Sequence, residues 1–175
     1  MGTLKIGSAK EQKGVTIYPF NVLFNGNNVK KIKKDNKTIW RLVTDVIVYN
    51  KGVEDDEFKI SSINGIGTLT RNASNITYSM QSQVYDTAGV YIDLTRINKV
   101  TFTGYIDDIN NTLGHLIITK NKVVNKDWNT SGVKSSQLAT SQRTYEIDVS
   151  DLKGYYYVCF GGSSRTVTCT YLALN

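Results

Sequence analysis

Four consecutive acidic residues, Glu54 to Glu57, are the densest group of side chains in the sequence that could do chemistry. A pair of carboxylates can act as general acid and base in glycoside hydrolysis, provided that one has a raised pKa and the two face each other across a cleft. Four acids in a row between two predicted strands are more typical of a solvated loop. We therefore assign them no catalytic role.

The other reactive side chains are isolated. His115, the only histidine, stands at the start of a predicted strand, and no serine or cysteine lies in a nucleophile-elbow setting that would give it a partner. Asp107 and Asp108 could supply oxygen ligands to calcium, although a plain turn is favoured. The loop at 162–165 could hold an anion through backbone amides and Arg165, although an ordinary hairpin loop is favoured. Because zinc also has almost no ligands, we expect no metal, no cofactor and no enzymatic activity.

The aromatic residues are more informative about a possible binding surface. Trp128 lies in the polar segment NKDWNTSG, and three tyrosines follow one another at 155–157. Alternation along a strand sends Tyr156 into the core with Val158 and Phe160, and sends Tyr155 and Tyr157 to the opposite face. That second set could stack on sugars, pack on a neighbouring subunit or serve only the framework. The candidate glycan or interface platform consists of Trp128, Tyr155, Tyr157 and Arg165.

The charge of the chain is concentrated at its N-terminus. The 175 residues carry a formal net charge of +6, but residues 1–41 hold nine basic and two acidic residues, hence +7, so the remainder is close to neutral. If the positive charge were spread evenly over the chain, it would favour an anionic partner such as nucleic acid, teichoic acid or a membrane surface. It is instead confined to the N-terminal segment. The N-terminus lacks the apolar core of a secretion signal, and no apolar run could span a bilayer. We expect no membrane insertion.

The basic stretch VKKIKKDNKTIW, residues 29–40, is interpreted as a β-hairpin. Asp-Asn at 35–36 forms a turn pair, and lysines on an exposed strand discourage unwanted edge pairing. Aromatic or arginine interleaving for nucleic-acid binding is missing, so we expect no nucleic-acid partner. The preceding strand closes at Asn25-Gly26, and together these pieces are too small to be stable alone. The apolar positions expected to dock this unit to a partner are Phe24, Val29, Ile32 and Trp40.

Strand signals dominate the whole chain. Short β-branched and aromatic runs are separated by turn residues at the spacing typical of a sandwich or barrel, and no segment has a convincing helical period. The two cysteines, Cys159 and Cys169, are expected to be buried thiols rather than a disulfide. A change of composition near residues 42–45 divides the chain into an N-terminal hairpin segment, 1–43, and a β-sandwich domain, 44–175.

Two parts of the sequence resemble known proteins. The segment VKKIKK through Thr38-Ile39-Trp40 is similar to a docking element of tail and baseplate-associated structural proteins of phages and prophages. Val90 to Ile106 and Thr144 to Leu174 resemble an antiparallel jelly-roll β-sandwich of the carbohydrate-binding-module type. In the second stretch Ser150 or Asp151 would cap a corner, Gly154 would end it with a positive φ, and Leu152 would fold inward.

The resemblance implies a non-enzymatic virion component of the tail, baseplate, fibre or capsid surface, assembled in the cytoplasm of a bacterial host. Its N-terminus would dock to other virion proteins, and its sandwich would project for adhesion to host-surface glycans. A homo-oligomer is expected, with a trimer as one option. The alternative is a free carbohydrate-binding or adhesion module of a bacterial surface system. Similar sandwiches serve many roles, so the fold alone does not select between these two.

Overall fold

The computed structural model describes residues 44–80, 85–107, 114–122 and 134–175, together with the backbone of seven short strands within residues 1–43. The chain forms two compact units, Met1–Val43 and Thr44–Asn175.

The first unit consists of short antiparallel strands. Its strands are β1 (Leu4–Ile6), β2 (Lys10–Gln12), β3 (Val15–Ile17), β4 (Val22–Phe24), β5 (Asn27–Val29), β6 (Lys31–Lys34) and β7 (Lys37–Arg41). β1, β4 and β5 form a three-stranded sheet, while β2 pairs with β3 and β6 pairs with β7. The predicted hairpin of the basic stretch is therefore the β6–β7 pair.

The four predicted docking positions all lie on strands of this unit. Phe24 ends β4 opposite Leu4 of β1, and Val29 ends β5 opposite Val22. Ile32 and Trp40 are register partners across the β6–β7 pair. Their side chains lie outside the described part of the structure, so their docking role stays a prediction.

The second unit contains two antiparallel sheets. Its strands are β8 (Val46–Asn50), β9 (Val53–Glu54), β10 (Ser61–Ser62), β11 (Thr68–Arg71), β12 (Ile76–Ser79), β13 (Tyr85–Asp93), β14 (Lys99–Ile106), β15 (His115–Thr119), β16 (Lys134–Gln137), β17 (Arg143–Asp148), β18 (Tyr155–Ser163) and β19 (Thr166–Leu174). One sheet has the order β10-β13-β18-β15-β16. The other has the order β11-β12-β19-β14-β17, with β8 on β19 and β9 on β8.

The core lies between the facing surfaces of these sheets. Phe102 of β14 and Phe160 of β18 bring their ring centroids to 5.2 Å across it. Val100 and Ile106 continue the inner face of β14, and both are buried. Burying each such side chain contributes about 1.5–3 kcal/mol. The predicted fold class, an all-β antiparallel sandwich, is confirmed, and no helix occurs in the described ranges.

The corner before β18 follows the predicted pattern with one change of residue. Leu152 is buried and Gly154 has a φ of +89°. The capping side chain is Asp148, whose Oδ1 accepts hydrogen bonds from the Ser150 amide at 2.9 Å and the Ser150 hydroxyl at 2.7 Å. Ser150 is therefore a donor to the cap, and Asp151 instead pairs with Lys134.

The Gly161-Gly162 pair lies inside a strand, although two consecutive glycines usually indicate a turn. β18 continues through both glycines to Ser163, and the chain reverses at Ser164, where φ is +59°. A Cβ at Gly161 would lie 2.1 Å from the Asp86 carbonyl oxygen. Glycine is therefore required because β13 approaches closely, not because the chain turns.

The described ranges contain no helix with the length and apolar character that a membrane crossing requires.

Candidate functional site

The outer surface of the five-stranded sheet carries a row of tyrosines on neighbouring strands. Ala88, Val90 and Ile92 of β13 are buried in the core, so the alternate residues of that strand face outward. Register places Tyr91 of β13 opposite Tyr157 of β18. We call this surface the tyrosine face, and its residues on the three central strands are Tyr85, Thr87, Gly89, Tyr91 and Asp93 of β13, Tyr155, Tyr157, Cys159 and Gly161 of β18, and His115, Ile117 and Thr119 of β15.

One end of the tyrosine face is open to solvent. Tyr91 is 54% exposed and Tyr155 is 58% exposed. The Tyr91 ring stacks on Tyr155 with centroids 5.3 Å apart, and it lies 4.6 Å from the Tyr157 ring at an angle of 40°. Large exposed aromatic clusters are uncommon on a protein that has no partner for them. We call these three residues the tyrosine platform.

The turns beside the platform are fixed by hydrogen bonds. The Asp93 carboxylate accepts bonds from the Thr95 amide at 2.9 Å and the Thr95 hydroxyl at 2.6 Å. The Thr95 hydroxyl oxygen accepts a bond from the Gly154 amide at 3.0 Å, and Lys153 donates to the Thr95 carbonyl at 3.2 Å. The ends of β13 and β18 are thus joined directly beside Tyr91 and Tyr155.

The other end of the tyrosine face is buried. Tyr85, Ile117 and Cys159 form an apolar cluster, with Ile63 and Tyr157 packed against it. The Tyr85 hydroxyl lies 3.3 Å from Nδ1 of His115.

Burial at this end changes the protonation of several groups. It lowers the pKa of His115 to about 4 and raises the pKa of Tyr85 above its usual value. Burial also raises the pKa of the Cys159 thiol to about 12, with the Thr87 hydroxyl lowering it slightly. These groups are neutral near pH 7, and a neutral histidine suits an apolar cluster.

Asp86 anchors the opposite surface of the same strand. Its carboxylate accepts hydrogen bonds from the Tyr78 hydroxyl at 2.5 Å and from the amides of Gly67 at 2.6 Å, Ile66 at 3.1 Å and Thr87 at 2.7 Å. Since Tyr78 belongs to the other sheet, this carboxylate ties the two sheets together. Its four donors explain how it stays buried in the sandwich. Asp86 therefore stabilises the strand that carries the tyrosine face, but its own side chain lies on the opposite surface.

The predicted platform residues are only partly brought together. Tyr155 and Tyr157 lie side by side with Tyr91, which the sequence-based prediction did not include. Arg165 follows the turn at the far end of β18, and the extended chain from Tyr155 to Ser163 alone spans about 26 Å. Trp128 lies outside the described residues. A signal for Tyr91 was present, since it alternates with Val90 and Ile92 as Tyr157 does with Tyr156 and Val158.

The acidic cluster serves the loop that contains it. Glu54 receives a bond from Arg71 Nε at 2.5 Å and another from the Ile60 amide at 3.0 Å. Asp55 accepts bonds from the amides of Glu57 at 2.8 Å and Phe58 at 3.2 Å. These carboxylates therefore organise a loop, and part of the cluster is less solvated than predicted.

The Asp107 carboxylate accepts a bond from the Thr166 amide at 2.7 Å, which joins the end of β14 to the start of β19. Asp108 lies outside the described residues, so the turn favoured at this position stays a prediction. Across the described ranges, no group of three or more histidine, cysteine, aspartate or glutamate side chains is arranged to hold a metal ion.

No protein-family model matches the chain, and no curated protein matches it either. Solved structures do match in fold. A family 29 carbohydrate-binding module from Piromyces equi is 9% identical, with a TM-score of 0.56 over 75% of this chain and 89% of that one. A mutant of a second family 29 module, complexed with cellulohexaose, is 13% identical, with a TM-score of 0.55 over 75% and 89%. Another mutant, complexed with mannohexaose, is 13% identical, with a TM-score of 0.53 over 75% and 90%.

At these identities the likeness shows the fold alone. The sandwich has the architecture of a carbohydrate-binding module, and the resemblance predicted on residues 90–106 and 144–174 is confirmed at that level. The likeness does not transfer a binding residue, because sandwiches of one architecture carry many functions.

Proposed function

We propose that the sandwich domain of residues 44–175 is a non-catalytic glycan-binding module whose contact surface is the tyrosine platform. The observation that carries the proposal is the pair of adjacent tyrosine rings, Tyr91 and Tyr155, each more than half exposed on the same face of one sheet. Aromatic faces supply apolar area for the C–H surface of a sugar, and the tyrosine hydroxyls supply a polar edge.

The matched structures support this proposal through their own ligands. Two of them are complexed with cellulohexaose and mannohexaose. The match covers about nine-tenths of each of those modules, so the shared fold extends over nearly their whole length.

A glycan array with three purified variants tests the proposal. Tyr91→Ala and Tyr155→Ala are expected to weaken binding about tenfold or more, equal to about 1.4 kcal/mol, because each removes a stacking surface. Tyr105→Ala is the matched control, since it removes a tyrosine from the outer surface of the other sheet. Equal losses in all three variants, or none, would contradict the platform assignment.

The role in a virus particle stays a prediction from the N-terminal resemblance. The matched structures are carbohydrate-binding modules, and they favour the adhesion-module alternative. Docking and self-association through residues 1–43 are testable by light scattering of the intact chain and of a chain that begins at Asp45. If the intact chain assembles and the shortened chain stays monomeric, the N-terminal unit is an assembly element. If both are monomers, the docking prediction is wrong.

A further inference from the structure

We infer that Asp93 is the specificity-determining residue of the tyrosine platform, and that its carboxylate accepts a hydrogen bond from a hydroxyl group of the sugar that lies on Tyr91 and Tyr155. This inference rests on the proposed function and adds to it the residue that orients the ligand.

The first step is the position of Asp93. It lies two residues after Tyr91 on β13, so the two side chains leave the same surface of the sheet. The register pairs Asp93 directly with Tyr155 of β18. Directly opposite residues have Cβ atoms about 5 Å apart. The Asp93 side chain, which is partly exposed, therefore borders the platform.

The second step concerns the two oxygens of this carboxylate. Oδ1 accepts both hydrogen bonds from Thr95, one from the amide at 2.9 Å and one from the hydroxyl at 2.6 Å. Oδ2 accepts no hydrogen bond from any of the described residues. Because the two Thr95 donors hold Oδ1, Oδ2 can receive a further donor without a change in the turn.

The third step is the chemistry that a sugar requires. Apolar stacking supplies contact area, whereas a small number of placed polar groups fixes the orientation of a ligand. The Thr95 hydroxyl already donates to Asp93 and accepts from the Gly154 amide. The exposed lysines at the ends of the same and neighbouring strands, which are Lys59, Lys120, Lys122 and Lys153, can only donate. A sugar hydroxyl that donates its proton therefore meets a charge-assisted acceptor at Asp93.

The fourth step is a comparison with Asp148, which forms the same kind of turn. Its Oδ1 accepts hydrogen bonds from the Ser150 amide at 2.9 Å and the Ser150 hydroxyl at 2.7 Å. Asp148 ends β17 on the other sheet, opposite Lys99 of β14. The turn is therefore not a binding site by itself. What distinguishes Asp93 is the pair of exposed tyrosine rings beside it.

The test replaces the acceptor oxygen with a donor. In Asp93→Asn the side-chain oxygen stays towards Thr95, because the Thr95 amide can only donate, so the new NH2 group takes the place of Oδ2. We expect the full-length variant to bind glycans about fivefold more weakly or worse, since a charge-assisted hydrogen bond is lost. Calorimetric titrations with free cellulohexaose and mannohexaose, and with the strongest hits of the glycan array, measure the Kd. An unchanged Kd would overturn the inference.

Two control variants separate a contact with the ligand from support of the turn. Asp148→Asn makes the same change in the same kind of turn on the other sheet, and we expect its Kd to stay within about twofold of the wild type. Thr95→Val removes the hydroxyl from the turn but keeps the Asp93 carboxylate, and we expect a smaller loss than in Asp93→Asn. A loss in either control as large as that in Asp93→Asn would mean that Asp93 makes no special contact with the ligand.

Monodeoxy derivatives of the best-binding oligosaccharide identify the hydroxyl group itself. Removal of the hydroxyl that contacts Asp93 should weaken binding to the wild type about fivefold more than binding to Asp93→Asn, because only the wild type loses the charge-assisted bond. If every derivative affects the two proteins equally, no sugar hydroxyl is bound by Asp93 and the inference is wrong.

The outcomes also separate this inference from the proposed function. If Tyr91→Ala and Tyr155→Ala weaken binding but Asp93→Asn does not, the platform stands and the role of Asp93 is wrong. If no glycan binds, or if binding survives the loss of both tyrosines, the platform itself is wrong and the role of Asp93 falls with it.

Discussion

Tyr91 and Tyr85 lie six residues apart on one strand and on one face of one sheet, yet their surroundings are opposite. Tyr91 is 54% exposed and stacks on Tyr155, whereas Tyr85 is 4% exposed and packs on Ile117 and Cys159. The same residue type therefore forms the proposed binding surface at one end of the tyrosine face and packs the interior at the other. What differs is the cover over each position, which strand periodicity does not encode.

The largest expected effect is at the buried end. Tyr85→Ala is expected to lower the free energy of unfolding by about 3–5 kcal/mol, because it empties an apolar cluster and leaves His115 without the hydroxyl at 3.3 Å. Urea titration followed by tryptophan fluorescence measures the change. Tyr85→Phe removes the hydroxyl alone and is expected to cost about 1 kcal/mol. A cost for Tyr85→Ala no larger than that of Tyr85→Phe would show that packing at this end is unimportant.

The second effect is a dependence of stability on pH. Burial lowers the pKa of His115 to about 4 in the folded protein, from an ordinary value of 6.5. The unfolded chain therefore takes up a proton first as the pH falls. The free energy of unfolding is therefore unaffected by His115 above about pH 6.5. Between pH 6.5 and pH 4 the titration of His115 lowers it progressively, by about 3 kcal/mol in total.

Urea titrations at several pH values between 7 and 4 measure this loss for the wild type and for His115→Gln. The variant is less stable at pH 7 and is expected to show a shallower slope, because the remaining slope comes from carboxylates alone. Parallel slopes for the two proteins would mean that His115 does not titrate differently on unfolding.

The third effect concerns stability at the exposed end of the tyrosine face. Tyr91→Ala is expected to change the free energy of unfolding by no more than about 0.5 kcal/mol, since the ring is more than half exposed. The same urea titration applies, paired with the glycan measurements described above. A large loss of stability would show that the platform is framework packing, and its binding loss would then be uninformative.

The smallest effect is expected on the outer face of the other sheet. Thr103 and Thr144 face each other on β14 and β17, with their hydroxyl oxygens 2.9 Å apart. Thr103→Val keeps the shape and removes an exposed hydrogen bond, so we expect a change within about 0.5 kcal/mol and unaltered glycan binding. If this variant lost glycan binding, the assignment of the binding surface to the five-stranded sheet would be wrong.

Alternation was sufficient to predict much of this architecture. The sequence YYYVCF places Tyr156, Val158 and Phe160 in the core and turns Tyr155 outward, as observed. Alternation could not predict the first half of β13, because Asp86, Ala88 and Gly89 have low strand propensity. Those residues form a strand for tertiary reasons. Asp86 receives four hydrogen bonds, and a Cβ at Gly89 would lie 2.2 Å from the Val158 carbonyl oxygen.

The candidate site was less predictable than the fold. Tyr155 and Tyr157 were identified because alternation along one strand turns both to the same face, whereas Tyr91 joins them only through the register of β13 on β18. Arg165 was grouped with them by proximity in the chain, and the extension of β18 through its glycines carries it to the far end of the sheet. Cross-strand neighbours follow from pairing, and pairing is not a local property of the sequence.

The two cysteines have a practical consequence. Cys159 and Cys169 are the only thiols in the chain, and both are free and buried. Since the thiolate is the reactive form, burial, which raises the pKa of both thiols, keeps them protonated at pH 8. The folded protein should therefore behave towards alkylating reagents as if it had no cysteine. A cysteine introduced at the exposed position of Asp56 would be the one thiol of the folded protein that a dye can label. Labelling beyond one dye per chain would then measure the fraction of molecules in which the sandwich has opened.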